Sequence, residues 1–175
     1  MARRLHIGGQ HKAPGWEILN IQPAPYVDHV GNASNLSQFA DATFSEVYAS
    51  HVLEHLDFTG QLQAGIKEWY RVLEPGGRAY ISVPDMDVLA RLFLDKDRLT
   101  PDERFFVMCM MFGGHDDKHD YHLVGLNEEF LSRYLNSTGF EVLSRVQEFG
   151  IFQDTSCLKF KDVPISLNMI AVKPI

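Results

Sequence analysis

Two stretches of the chain concentrate the side chains that can move protons or hold ions. The first is His51-Val52-Leu53-Glu54-His55-Leu56, preceded by Ser50. The second is His115-Asp116-Asp117-Lys118-His119-Asp120-Tyr121-His122. Histidine has the ordinary pKa closest to neutrality, so it suits proton transfer to or from a hydroxyl. His122 is the first candidate for such a base, and His51, directly after a strand, is the second. His55 reads as structural, and Glu54 as a partner for backbone in its own loop. Three histidines and three aspartates in the second stretch could also hold a metal. Their spacing fits no strong zinc signature and Lys118 intrudes, so no metal is assigned. A solvated loop is the competing reading.

The elements around these residues follow from periodicity and punctuation. Glu46–Ser50 is a short β-rich run, and Leu62, Ile66, Trp69, Tyr70 and Leu73 share one face of a helix over 61–73. Pro75 stops that helix, Gly76-Gly77 allow a tight turn, and Arg78–Val83 is a strand closed by Pro84. Strand, helix and strand make a right-handed parallel crossover. Ligands of such sheets bind beyond the carboxyl ends of the strands, which puts Ser50, His51, Glu54, His55 and Asp85 on the active rim.

Upstream, Arg4–Ile7 reads as a first strand leaving through Gly8-Gly9, Trp16–Ile21 as a second, and Tyr26–Val30 as a third. The connections between them are too short for crossover helices. One sheet face near these strands is therefore expected to lack helices, and a second subunit could cover it, making a homodimer. Ser34-Asn35 is expected to cap a helical turn carrying Leu36 and Phe39. Downstream, Asp85 caps a helix with Met86, Leu89, Ala90 and Phe93 on one face. Pro101 opens another helix, whose apolar run Phe105–Phe112 is expected to be buried in the core, the alternatives being a substrate-pocket wall or a subunit interface. Asn127 to Leu135 form a further helix stopped by Gly139; Phe140–Val146 and Ile165–Val172 are the last strands. Phe149, Ile151 and Phe152, in the long connection between those strands, either cover a pocket or fill in under the sheet.

Composition narrows the partners. The 175 residues suit one domain, 1–175, with ordinary apolar (45%) and charged (22%) fractions. A net charge of −7 and a single basic pair, Arg3-Arg4, argue against nucleic acid. No apolar run approaches the ~20 residues of a membrane span. Cys109 and Cys157 are far apart and are expected to be reduced thiols in a cytoplasmic protein.

His51–Leu56, followed by Leu73-Glu74-Pro75-Gly76-Gly77-Arg78 and Tyr80–Asp85, resembles the middle of a class I S-adenosylmethionine-dependent methyltransferase, in particular the short bacterial type 11 branch. The resemblance implies an α/β, Rossmann-like methyltransferase sheet. It is mostly parallel with an antiparallel last strand, and here it is trimmed of helices between the first three strands. It implies S-adenosylmethionine as cofactor, held by His6, Gly8, Gly9, Asn20, Ile21, Asn32, Ala33, Ser50, His51 and His55. His122, ahead of Gly125-Leu126, matches a histidine of similar proteins. The family's acidic residue two before the first glycine is His6 here, and its second spaced glycine is Gln10. Asn20 and Asn32 stand where it has acids for the ribose and the adenine amino group. Each loss of charge assistance costs on the order of 1 kcal/mol, roughly fivefold to tenfold in affinity.

The reading is a methyltransferase acting on a small-molecule acceptor, most plausibly a hydroxyl and with a pointer to saccharides. The alternative, favoured by His6, Gln10, Asn20 and Asn32, is a catalytically degenerate member acting as a binding or scaffold subunit. A nicotinamide dehydrogenase is excluded, because the first glycine turn lacks the spaced glycines and following helix that hold a pyrophosphate.

Overall fold

The spacing that predicts a crossover unit is realised in the computed structural model, which describes residues 2–116 and 118–175. Strand β4 (Phe44–Ser50), helix α1 (Gln61–Val72) and strand β5 (Leu73–Pro84) form it, with Glu46 beside Arg78 and Ser50 beside Ser82 in a parallel register. Leu62, Ile66, Trp69 and Val72 are the buried stripe of α1. The Trp69 indole N–H donates to the Ala33 carbonyl at 2.8 Å. The turn expected at Pro75–Gly77 is instead an excursion within one long strand. Phe44 pairs Leu73, and the register resumes only at Glu46 and Arg78. Gly76 there has φ +78°, which a side chain would disfavour.

Strands β1 (Arg4–Ile7), β2 (Glu17–Asn20) and β3 (His29–Val30) extend the sheet on one side. Strands β6 (Glu141–Val146) and β9 (Ser166–Val172) extend it on the other. The order is β3-β2-β1-β4-β5-β9-β6, with β9 antiparallel to both neighbours. No helix intervenes between β1 and β2 or between β2 and β3. β3 is shorter than the expected 26–30, because the Val27 N–H is spent on the Ala24 carbonyl in a turn. The turn at Ser34-Asn35 is not helical either. Asn32 and Asn35 side-chain oxygens take the N–H groups of Ser34 and Ser37, which offers the backbone an alternative to helix. Leu36 and Phe39 are buried all the same.

One face of the sheet packs Leu5, Ile7, Val47, Ala49, Ile81 and Val83 against α1 and helix α4 (Glu128–Thr138). The other face was expected to lack helices near the first three strands, where a second subunit could cover it; the chain covers it itself. Residues 147–164 fold back across it, placing Phe149, Ile151 and Phe152 on Trp16, Tyr48 and Tyr80. Of the two uses open to these three side chains, the structure takes the filling one. The Tyr48 hydroxyl donates to Asp154 at 2.9 Å and lies 3.2 Å from the Ser156 hydroxyl. The covering segment also holds a single helical turn, Thr155–Cys157, and a small hairpin of β7 (Lys159–Phe160) and β8 (Val163–Pro164). The uncovered-sheet reason for a homodimer therefore falls away.

Helices α2 (Met86–Leu94) and α3 (Pro101–Phe112) pack on each other beside β9. α2 buries Leu89 and Leu92, and its Phe93 is 38% exposed rather than inward. α3 is secured by a capping box between Thr100 and Glu103. Its expected burial is also corrected. Only Val107 is buried, while Phe105, Phe106 and Phe112 are 63, 54 and 56% exposed. The helix lies at the edge of the domain and has a neighbour on one side only. Both cysteines are free, and no helix is long and apolar enough to cross a membrane among the described residues.

If Asp154 anchors the covering segment, Tyr48→Phe lowers stability by about 1.5 kcal/mol through one lost charge-assisted hydrogen bond. Urea denaturation reads this, and an unchanged midpoint would show that the anchor contributes nothing.

Candidate active site

The carboxyl ends of β1, β2 and β4 lie side by side, and each leaves the sheet through residues that keep the backbone open. β1 exits at Gly8, with φ +76°, where a Cβ would come within 2.7 Å of the Val52 side chain. The Gly8 N–H donates to the Leu19 carbonyl at 2.8 Å, tying this turn to β2. β2 ends at Asn20, whose amide donates to the Gly9 carbonyl at 3.2 Å and accepts from the Gln22 N–H at 3.0 Å. Beyond β3, the Asn32 side-chain oxygen accepts from the Ser34 N–H and hydroxyl, both at 2.9 Å. β4 exits at His51, held at φ +54°, a left-handed conformation uncommon outside glycine.

A cleft of about 810 Å³ runs across these strand ends, within the size range of small-molecule sites. Of the expected cofactor residues, Gly8, Asn20, Ile21, Asn32, Ala33, His51 and His55 line it. Gln10, Gln22, Tyr26 and Gln61 add polar walls, and Lys118, His119, Tyr121 and Leu123 form the side nearest the second polar loop.

Three expected cofactor residues, and the rim residue Asp85, stand elsewhere. His6 alternates with Leu5 and Ile7 along β1, so it points to the opposite face of the sheet. Its ring lies 4.3 Å from that of Phe152 and 4.9 Å from that of Tyr48. Burial lowers its pKa to about 4, the Asp154 charge acting the other way. Gly9 is pressed against the His6 ring, where a Cβ would lie 2.8 Å from Nδ1. The Ser50 hydroxyl is 2.6 Å from that of Thr155, joining β4 to the covering segment. Asp85 is buried, caps α2 and pairs with Arg145 at 2.7 Å, so it is structural.

The two candidate bases are unequal in position. His51 lines the cleft; His122 is absent from its lining and packs edge-on behind His55, with 4.9 Å between ring centres. The Ser166 hydroxyl donates to the Thr155 carbonyl and is 2.9 Å from His51 Nε2, so Nε2 carries the proton and donates to it. His51 Nδ1 then holds a lone pair, 3.4 Å from a Glu54 carboxylate oxygen without hydrogen-bond geometry. Burial, then the neighbouring His122, lowers the His51 pKa to about 4. Burial, then His55, lowers that of His122 to about 4, with the Met111 and Met110 carbonyls acting in the opposite sense.

Glu54 is the residue that sequence reasoning undervalued. Its backbone does hold the loop, since its carbonyl accepts from Leu123 and Val124. The carboxylate, however, is fully buried with neither oxygen hydrogen-bonded, and burial pushes its pKa up to about 8, only its own N–H acting the other way. The signal that could have found it is the string His-x-x-Glu-His at 51–55, a pattern that on a helix marks zinc chemistry. The second polar loop does not assemble into a cluster of its own among the described residues. His115 stacks on Tyr121 with ring centres 3.9 Å apart, and Asp120 accepts from the Asp116 N–H. Asp117 lies outside the described residues. Among the described residues of that loop, His122 lies with Glu54 and His55, and the Tyr121 carbonyl meets His55 Nδ1.

Residues 15–81 match the family model described as a methyltransferase domain. Among solved structures, the CurJ carbon methyltransferase is similar at 15% identity and a TM-score of 0.57, covering 99% of this chain and 49% of that one. A SAM-dependent methyltransferase from Methanosarcina mazei is similar at 17% identity and 0.61, covering 99% and 93%. Another from Archaeoglobus fulgidus is similar at 16% identity and 0.61, covering 98% and 86%. The chain thus spans about half the length of the CurJ chain. No curated protein matches it.

His6 gives the domain a measurable pH response. Its folded pKa of about 4 lies below the ordinary 6.5, so between these values the unfolded chain holds a proton that the folded one lacks. Stability therefore falls as pH drops from about 6.5 to about 4. His6→Gln is expected to make that decline shallower in urea midpoints measured across the window; an unaltered slope would contradict the assignment.

Proposed function

The chain carries the fold of the class I S-adenosylmethionine-dependent methyltransferases, with the methyltransferase-domain match running from β2 into β5, and from that premise we propose that it methylates a hydroxyl of a small polar acceptor. S-adenosylmethionine is the cofactor that family and fold indicate. When bound it supplies an electrophilic methyl group on a sulfonium. The observation that carries this reading is the cleft across the ends of β1, β2 and β4, where Gly8 leaves bare backbone at the place a nucleoside must approach closely.

The chain's own residues divide the work. Asn20 and Asn32 stand at the ribose and adenine ends, and Ile21, 43% exposed, offers an apolar edge beside them. His51 is neutral at physiological pH, oriented through Ser166 and Thr155, and part of the cleft lining, so it is the imidazole suited to receive a hydroxyl proton. His122 acts behind it, through His55, rather than on the acceptor. Gln10, Gln22, Gln61, Lys118 and His119 give the cleft a hydrogen-bonding lining that suits a polyhydroxylated acceptor such as a saccharide. Most of the rate then comes from holding acceptor and methyl in line.

A second reading, a silent binding subunit, is favoured by one observation. Asn20 and Asn32 already give their side-chain oxygens to local N–H groups, leaving less for a nucleoside. Calorimetric titration separates the two. S-adenosylhomocysteine is expected to bind in the micromolar range, and Gly8→Val to abolish that binding by driving a side chain into Val52 and the cleft. Binding no tighter than millimolar in the unaltered chain would leave the scaffold reading. With an acceptor found in a panel of hydroxylated sugars, His51→Ala is expected to lower kcat by about 100-fold. An unchanged kcat would remove His51 from the chemistry.

A further inference from the structure

Among the described residues no other residue donates a hydrogen bond to the Glu54 carboxylate: both oxygens are buried without a partner, and only its own N–H acts on it. Three imidazoles stand around it, and two of them have the ring proton committed elsewhere. The His51 Nε2 proton goes to Ser166, leaving Nδ1 as an acceptor 3.4 Å from the carboxylate. His55 Nδ1 is 3.1 Å from the Tyr121 carbonyl, which can only accept, so the His55 proton is on Nδ1 and its lone pair on Nε2. His122 Nδ1 is buried and unpartnered. His122 thus keeps an unpartnered ring nitrogen and lies with Glu54 and His55.

Acceptors facing one another in a dry site repel unless something positive stands between them. A proton on Glu54 would satisfy one carboxylate oxygen and His51, and would leave the second oxygen and His122 Nδ1 bare. A cation satisfies them together. One ligand atom from each of Glu54, His55 and His122 lies within 4.8 Å of the other two. Ligands of a tetrahedral ion with bonds of about 2.1 Å stand about 3.4 Å apart, so closing on an ion takes side-chain shifts of about an ångström.

We propose that Glu54, His55 and His122 bind a divalent first-row transition ion such as Zn²⁺, with its open coordination position toward the cleft. Two imidazoles and one carboxylate suit such an ion better than Mg²⁺ or Ca²⁺, which prefer an all-oxygen shell. The surroundings hold the ligands as metal sites require: the Tyr121 carbonyl fixes the tautomer of His55, and the Glu54 backbone is clamped by Leu123 and Val124. His55 also lines the cleft, so the ion borders the side walled by Lys118, His119 and Tyr121. Its use rests on the transferase reading above. Bound there, the ion would supply Lewis acidity to an acceptor hydroxyl, and Glu54, His55 and His122 would hold it.

The test uses the untagged full chain, stripped with chelator and titrated with ZnCl₂ against a competing indicator. One equivalent is expected to bind with Kd below about 1 µM, and Co²⁺ in its place to give the visible absorption of a low-symmetry site. Glu54→Gln and His122→Ala are each expected to weaken Zn²⁺ binding by about 100-fold or more, with far-UV circular dichroism confirming that they fold. His115→Ala is expected to leave it unchanged. No stoichiometric binding, or binding that survives both substitutions, overturns the site. Zn²⁺ binding together with failed S-adenosylhomocysteine binding keeps the site and removes the transferase reading.

Discussion

A parallel sheet must be covered on both faces, and in this chain the links between its first three strands cannot do it. Residues 8–16 and 21–28 join β1 to β2 and β2 to β3 without room for a helix. The polypeptide meets the constraint from its far end, returning residues 147–164 beneath Tyr48, Tyr80 and Trp16. That solution reaches the site. The same return brings Thr155 to Ser50 and, with the start of β9, Ser166 to His51. The tautomer of His51 is thus set by the segment that covers the sheet, although the two are separated by about a hundred residues of sequence.

The strand ends consequently present two environments a few ångströms apart. On the side of β1 and β2, backbone and carboxamides are exposed and mutually satisfied, which gives an open, weakly charged bed. On the side of β4, Glu54 is buried and His51 and His122 are half-buried, and burial works against charge on these three. The second polar loop is attached between the two. It is pinned by His122 to the Phe112 carbonyl and by Leu123 to that of Glu54, so its position depends on the end of α3 and on the turn after β4. The edge helix α3, with its aromatic side chains outward, is for this loop a fixed post rather than a piece of core.

The parts legible in the sequence are those governed by local rules. The stripe of α1, the cap at Asp85, the capping box of α3 and the missing helices follow from periodicity, from single side chains or from counting residues. What was not legible depended on partners far along the chain. Apolarity around α3 does not reveal that only one side has a neighbour. The covering segment decides that His6 is a core residue, and the docking of β6 that Asp85 meets Arg145. At Asn32 and Asn35, local side-chain hydrogen bonds displaced the helical turn suggested by their neighbours. In the site, strand counting led to Gly8, Asn20 and Asn32, which line the cleft, whereas the surroundings of His51, His122 and Glu54 required knowing which atoms face which.

Glu54 is buried for a reason that has nothing to do with its charge. Leu53 and Leu56 are both core residues on either side of it, and the single helical turn between them turns the Glu54 side chain inward. Stability alone would favour an apolar side chain or one with a donor beside it, because an unpaired carboxylate in such a place costs several kcal/mol unless it takes up a proton. Only its own N–H acts as a donor, and burial raises its pKa to about 8. Around it stand His51 and His55 with ring protons committed elsewhere and an unpartnered His122 nitrogen, an arrangement that favours the entry of a positive species. Perturbed ionisable groups of this kind gather where chemistry is done, and this one lies beside His51 and His55 of the cleft lining. The carboxylate is therefore better understood as a binding element that the fold tolerates than as an element that the fold needs.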